Sequence, residues 1–170
     1  MFRLIKNIFV TMLLIGFWAS AACAQEDVAF EISPHTGFMD GGGEFGLDMS
    51  MNYKSVSLEF SGAQVIGKTS DLYPLNVNLI LNFATQGKII PYGGVGGGLL
   101  LTVPTTTIGN KTLSSLGINF GGGMRYYLSD DFGLKFAVNQ YLTNIKNSRD
   151  NYEELLIFQE VTFGVIFVFK

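Results

Sequence analysis

The sequence predicts an all-β protein: a single eight-stranded, antiparallel, up-and-down transmembrane β-barrel preceded by a cleaved signal peptide. Three observations carry this prediction. Apolar residues alternate with period two in segment after segment; from Leu155 to Phe169 every second residue is apolar except Gln159. The charges within these segments fall almost wholly on the other parity. Beyond the N-terminal segment, no apolar run is long enough for a membrane-spanning helix, which needs about 18 residues.

Eight segments alternate in this way, and most reach the length that a tilted membrane strand requires, about 9–11 residues. The predicted segments are Val28–Gly37, Glu44–Tyr53, Val56–Val65, Leu72–Thr85, Ile89–Val103, Ser114–Leu128, Phe132–Asn144 and Leu155–Phe169. Lipid cannot satisfy an open sheet edge, so we expect the strands to close into a barrel.

The connections between the segments are predicted to alternate in length. Tight turns are expected after the second, fourth and sixth segments. The other connections contain Gly, Asn, Thr and charged residues, which is typical of exposed loops. These longer connections are Phe38–Gly43, Ile66–Asp71, Pro104–Leu113 and Ile145–Glu154. Short periplasmic turns and longer external loops are typical of outer-membrane barrels, whereas a soluble barrel has no reason to separate them.

The N-terminal segment has the features of an export signal. Arg3 and Lys6 precede a short apolar stretch, and Ala22-Cys23-Ala24 offers small residues for cleavage before Gln25. We therefore divide the chain into a signal peptide, residues 1–24, and a barrel domain, residues 25–170. Two alternatives stay open: an uncleaved N-terminal anchor, and lipoprotein cleavage with acylation of Cys23.

The composition limits the function further. The net charge is -3, charged residues make up 15% of the chain, and there is no basic patch, so no nucleic-acid partner is expected. Without Cys23, the mature chain contains no cysteine and hence no disulfide framework. We expect no cofactor, no metal site and no catalytic residues.

The inward parity is predicted to hold an interior polar network. Charged side chains on neighbouring strands form it, and buried charges need partners. The predicted members are Glu31, Asp48, Glu59, Arg125, Lys135 and Glu160. An eight-stranded barrel is only wide enough for side chains to fill its interior, so the network is interpreted as a plug. The alternative is a gate or a solute-selecting lumen.

Three further patterns have predicted roles. Aromatic residues near the tight turns indicate one half of an interfacial girdle: Tyr53, Phe83, Tyr92, Tyr126, Phe132, Phe167 and Phe169. The glycines of 93–98 and 121–123 do not fit a phosphate-binding loop and are expected to make room for large inward side chains. His35, with Ser33 and Glu31 on the same face, suggests a hydrolase trio, but steps of about 7 Å along one strand are too long for it.

The segment Pro91–Leu101 (PYGGVGGGLLL) and the segment Gly117–Leu134, which contains GGGMRYYLSDDF, resemble the small outer-membrane β-barrel family of the OmpA/OmpX type. The resemblance implies an outer-membrane location. It also implies contact with outer-membrane lipids, and a C-terminal signal, Phe167 and Phe169, read by the barrel-assembly machinery. Fold does not determine function.

The leading functional hypothesis is a non-enzymatic integral outer-membrane protein with a structural or surface-interaction role, whose external ligand is unknown. Three alternatives stay open: a narrow pore using the interior charges, a lipid-modifying enzyme using His35, and a soluble lipocalin-like barrel. Extraction distinguishes the last, because a lipocalin leaves with the soluble periplasm and a membrane barrel requires detergent.

Overall fold

The computed structural model describes residues 28–83, 87–104, 112–147 and 152–169, with the side chains of 145–147 and 152–154 left aside. The predicted signal peptide, the cleavage site before Gln25 and the alternative acylation site Cys23 all lie outside the described residues. No helix in the described ranges is long and apolar enough to cross a bilayer.

The described chain forms eight antiparallel strands that close into one barrel in the order β1 to β8, with β1 pairing β8. The all-β, up-and-down barrel prediction is confirmed. The strands are β1 Val28–Met39, β2 Gly42–Tyr53, β3 Val56–Ile66, β4 Ser70–Asn82, β5 Ile89–Pro104, β6 Leu113–Tyr127, β7 Phe132–Asn147 and β8 Tyr152–Phe169. Closure leaves no open edge over the paired part of the sheet, as a lipid environment demands.

The two faces of the sheet separate as the alternation predicts. Large apolar side chains are exposed on the outer wall, among them Val77, Leu79 and Val95. Polar and charged side chains are buried inside. Met49 lies on the outward parity yet is nearly buried, and its strand partners Ile32 and Phe60 flank it on the same face. Apolar outside and polar inside is the arrangement of a membrane barrel.

The predicted alternation of short and long connections is wrong. β1 and β2 are joined by Asp40 and Gly41 alone, whereas the connection from β4 to β5, expected to be tight, spans residues 83–88. Asp40 (φ 47°) and Gly41 (φ 81°) both adopt left-handed conformations. Two such residues close a two-residue hairpin whose twist matches that of the strands. The Asp-Gly pair within the predicted loop Phe38–Gly43 is therefore the sequence feature that indicates the tight hairpin.

Tyr92 is a second correction, because it does not belong to the predicted aromatic girdle. Its ring is buried inside the barrel. Other predicted members lie on the outer wall near the chain termini, where Phe132 and Phe167 pack edge to face with ring centroids 5.8 Å apart. Phe169, predicted with Phe167 to be the assembly signal, packs 6.3 Å from Phe30. The assembly role itself stays a prediction.

Several glycines face inward beneath polar side chains, as predicted. A Cβ on Gly96 would lie 2.0 Å from Asn78 Oδ1 and 2.4 Å from Asn119 Oδ1. A Cβ on Gly121 would lie 2.2 Å from Asn139 Oδ1. Real Cβ atoms do not approach this closely, so glycine at these positions gives the lumen the width that its asparagines occupy.

Candidate functional site in the barrel lumen

The polar lumen is where the structure concentrates chemically active side chains. Both ends of the described chain and the connections after β2, β4 and β6 lie at one end of the barrel, which we call the terminal end. The connections after β1, β3, β5 and β7 lie at the opposite end, which we call the loop end. Alternate residues of every strand point inward, so side chains from distant parts of the chain meet in the lumen.

Lys135 is the centre of the ion pairs nearer the terminal end. Its Nζ donates to Asp48 Oδ2 at 2.8 Å and to Glu59 Oε2 at 2.6 Å. Ser50 Oγ donates to the same Glu59 oxygen at 2.8 Å. Hydrogen-bonded ion pairs of this kind are what allow charges to remain buried.

Arg125 extends these contacts across the lumen. Only 2% of the residue is exposed. Its Nη1 donates to Asn82 Oδ1 at 2.8 Å, and its guanidinium lies 3.6 Å from Glu31 Oε2 and 3.8 Å from Glu59 Oε2. Tyr127 donates its hydroxyl proton to Glu31. We call Glu31, Asp48, Glu59, Arg125 and Lys135 the paired cluster.

Tyr92 lies against both cations of the paired cluster. Its ring centroid is 4.9 Å from the Arg125 guanidinium carbon and 5.8 Å from Lys135 Nζ. An aromatic face attracts a cation within about 6 Å. The buried ring thus stabilises the two positive charges, which explains why an aromatic residue is found on the inward parity here.

Glu160, the sixth residue of the predicted network, is not in contact with the paired cluster. Its Oε1 accepts a hydrogen bond from the Tyr141 hydroxyl at 3.0 Å, and its Oε2 accepts one from Asn139 Nδ2. The structure therefore brings five of the predicted residues together and places Glu160 apart, nearer the loop end. The strand tilt causes this separation, because neighbouring strands carry equivalent positions to different heights in a barrel.

Glu44 is a buried carboxylate that the sequence reasoning missed. Its side chain is 0% exposed, and both its oxygens lack a hydrogen-bond partner. Its strand partner on β1 is Gly37, and Gly37 pairs on β8 with Thr162, two residues from Glu160, so the Glu44 and Glu160 carboxyl groups are neighbours in the lumen. Glu44 shares the parity of Asp48 on β2, which was the signal that could have found it. It is the first residue of the predicted second strand, directly after Gly42 and Gly43, and the predicted network does not include it.

His35 lies between two carboxylates. Its Nδ1 is 3.2 Å from Asp48 Oδ2, and its Nε2 is 4.0 Å from Glu44 Oε1. Ser33 Oγ is buried without a hydrogen-bond partner. The trio of Glu31, Ser33 and His35 is therefore not hydrogen-bonded as a nucleophile, base and orienting acid would be.

An apolar layer covers the lumen at the loop end. The buried side chains Met39, Val65 and Tyr141 form one cluster, against which Leu72 and Phe158 pack. All five lie on the inward parity near the loop ends of their strands. We call these residues the apolar cap. Met39 is the strand partner of Glu160 and Val65 that of Glu44, so the cap lies beside the two carboxyl groups.

Between the paired cluster and the apolar cap lies a polar cavity of about 30 Å³, measured as the volume that the centre of a water molecule can reach. His35, Asn78, Asn119 and Glu160 are among its lining residues. A cavity needs about 10–15 Å³ by this measure for each water, so it has room for roughly two. Within the described ranges, no group of three or more His, Cys, Asp or Glu side chains is arranged to hold a metal ion.

Comparison with solved structures agrees with this architecture. The chain is similar to the N-terminal β-barrel domain of Pseudomonas aeruginosa OprF, with a TM-score of 0.67 and 17% identity over 83% of this chain and 97% of that one. The chain has the fold of the small eight-stranded outer-membrane β-barrels. It is also similar to Neisserial surface protein A, with a TM-score of 0.63 and 15% identity over 82% of this chain and 94% of that one.

A further similarity is to Ail, the attachment invasion locus protein of Yersinia pestis, with a TM-score of 0.52 and 13% identity over 84% of this chain and 97% of that one. No protein-family model matches the sequence. No curated protein matches it either. At these identities the likeness is one of fold, and function must be argued from the lumen and the outer surface.

Proposed function

We propose that this protein is an integral outer-membrane barrel whose lumen is closed by its own side chains, with a non-enzymatic role as an envelope scaffold and in surface contact. The packing of the lumen carries the proposal. Arg125, Lys135 and Ile166 are buried inside the barrel, and the cavity between them and the apolar cap has room for only about two waters. A filled lumen is the ordinary state of an eight-stranded barrel.

The outer wall supports the membrane part of the proposal. Exposed apolar side chains occur on all eight described strands, and a charge at the middle of such a wall would cost about 2–4 kcal/mol in lipid. The lipocalin-like alternative requires this apolar parity to face inward, and the structure has it facing outward. Outer-membrane lipids are accordingly the first partner, and Phe167 and Phe169 are proposed to direct assembly by the barrel-assembly machinery.

The surface-contact role is supported by a hairpin that projects at the loop end. β8 pairs with β1 only as far as Glu160 opposite Met39, yet its pairing with β7 continues to Tyr152 opposite Asn147. Leu155 and Ile157 on this extension are more than half exposed. By contrast, the turn of Asp40 and Gly41 offers little surface. An external ligand would therefore contact the β7–β8 side of the rim first.

Single-channel conductance of the refolded protein in a planar bilayer tests the closed lumen. Heat-modifiable gel mobility must first show that the barrel has folded. We expect a silent membrane. A steady conductance that changes when Glu160→Gln or Lys135→Gln is introduced would overturn the closed scaffold and establish a narrow pore.

The narrow pore is the second candidate, and the polar cavity is the observation that favours it. Its walls carry acceptor oxygens, including the unpartnered Asn119 Oδ1. For conduction, the apolar cap and the Arg125 contacts would both have to open. Met39→Ala thins the cap without touching the paired cluster, so conductance in this variant alone would identify the cap as the barrier.

A further inference from the structure

The pair of carboxyl groups at the loop end of the lumen has one basic neighbour, His35, whose Nε2 is 4.0 Å from Glu44 Oε1. Glu44 on β2 and Glu160 on β8 flank the same part of β1, where Gly37 has no side chain to separate them, and both residues are buried. Of the ion pairs among the described residues, neither carboxylate joins a lysine or an arginine. Two ionised carboxylates this close in a buried site repel strongly.

The hydrogen bonds around the pair distinguish its two members. Glu160 accepts from Tyr141 and from Asn139, so both its oxygens are satisfied as a carboxylate would be. Neither carboxylate oxygen of Glu44 accepts a hydrogen bond. A buried acceptor without a donor is costly, whereas a protonated carboxyl group becomes a donor itself. A proton on Glu44, directed at Glu160, satisfies both groups at once.

We propose that Glu44 and Glu160 form a proton-binding site: Glu44 holds one proton in the folded barrel and donates it to the Glu160 carboxylate beside the apolar cap. The proposal does not depend on whether the lumen conducts, because it concerns the protonation of the closed state.

The groups that face Glu44 from each neighbouring strand are consistent with a proton on its carboxyl group. On β1, His35 lies between two carboxylates: its Nε2 is 4.0 Å from Glu44, beyond hydrogen-bond length, and its Nδ1 is 3.2 Å from Asp48. Asp48, on the same strand as Glu44, adds a further negative charge. On β3 the strand partner is the apolar Val65. β7 contributes the Tyr141 hydroxyl and β8 contributes Glu160 itself. One histidine between Asp48 and Glu44 cannot balance both carboxylates of the pair, so the pair still requires a proton.

Proton binding makes the stability of the barrel depend on pH. In the unfolded chain Glu44 is exposed and ionises near the ordinary value of about 4.3. Above that pH the folded barrel holds one proton more than the unfolded chain, so stability falls as pH rises. One proton corresponds to a roughly tenfold increase in the unfolding equilibrium constant per pH unit until the folded pair itself ionises.

Infrared spectroscopy of the protein refolded in lipid vesicles tests the site directly. At neutral pH we expect the carbonyl stretching band of a protonated carboxylic acid. The band should be lost in Glu44→Gln, in which the amide still donates to Glu160 and preserves the fold. Asp130→Asn, which removes a carboxyl group from an exposed turn, is the matched control and should keep the band.

Denaturant unfolding at several pH values supplies the second measurement. The unfolding constant of the wild-type protein should rise with pH by roughly tenfold per unit, and Glu44→Gln should lose this dependence. An absent acid band together with a pH-independent wild type would overturn the proposal. Loss of wild-type stability when sodium is replaced by choline at constant ionic strength, with no acid band, would also overturn it, because a metal cation would then balance the pair.

Discussion

The two ends of the lumen stabilise their buried carboxylates in different ways. Toward the terminal end, Lys135 bridges Asp48 and Glu59 at 2.8 and 2.6 Å, and Arg125 lies between Glu31 and Glu59. Toward the loop end, Glu44 and Glu160 face each other without a lysine or arginine among the described ion pairs. The paired cluster relies on fixed cations, and the carboxyl pair is proposed to rely on a proton.

A buried carboxylate must be compensated, but it can be compensated in more than one way. A carboxylate removed from water needs a positive partner, a set of donors or a proton. A fixed cation holds its charge at every physiological pH, so the paired cluster stays closed as pH changes. A shared proton leaves as pH rises, so the loop end responds to its surroundings while the terminal end does not.

The largest effect is expected from Lys135→Met, which keeps the volume and removes the cation. Asp48 and Glu59 then lose their shared partner, and the free energy of unfolding should fall by about 3–5 kcal/mol, the cost of breaking a buried pair from one side. Urea unfolding monitored by gel mobility measures it. Lys88→Met, at an exposed turn position, is the control and should change stability by less than about 0.5 kcal/mol.

Adding Glu59→Gln to Lys135→Met should recover part of the loss, because one unpaired charge is removed. If Lys135→Met were as stable as the control, the paired cluster would not depend on its cation, and the contrast between the two ends would disappear.

A smaller effect is expected from Tyr141→Phe, which deletes the hydroxyl that donates to Glu160 at 3.0 Å and accepts from Asn76 Nδ2 at 3.3 Å. A hydrogen bond to a charged group contributes about 1.5–3 kcal/mol. The matched change Tyr92→Phe removes a 3.4 Å hydrogen bond to the neutral Phe136 carbonyl, and about 0.5–1.5 kcal/mol is expected. Chemical unfolding of both variants gives the comparison. Equal losses would indicate that Glu160 is not the ionised member of its pair.

The last comparison, between two neighbouring glycines of β5, includes the smallest expected effect. Gly96→Ala places a Cβ against Asn78 and Asn119 and should cost about 1–3 kcal/mol by overpacking. Gly97, the next residue, faces outward and would meet only Gly117 O at 3.5 Å. Gly97→Ala should therefore be nearly neutral. Comparable losses in the two variants would mean that the backbone, and not the lumen packing, requires glycine here.

The alternation of the strands could be predicted because period two is a local property of the sequence. Each inward residue of the paired cluster, from Glu31 on β1 to Lys135 on β7, follows from parity alone. The turn of Asp40 and Gly41 was misjudged because polar, glycine-rich residues fit both a loop and a tight hairpin. Only the left-handed dihedral angles at both positions distinguish the two.

Which charged side chains contact each other in the lumen could not be predicted from the sequence. Parity places Glu160 inside together with Arg125 and Lys135, but the height of each residue depends on strand tilt and register, which are properties of the closed barrel. Tyr92 shows the same limit: its aromatic character suggested the outer girdle, and the register of β5 placed it beneath two cations.

The eight strands, their two faces and the polarity of the lumen follow from the order of the residues alone, because side-chain alternation and the exclusion of charge from lipid act residue by residue. Which charges meet depends on the closed barrel. Closure of the sheet gave Asp48 and Glu59 a lysine and left Glu44 with Glu160, since only the tilt of the closed barrel fixes the heights at which distant strands face each other.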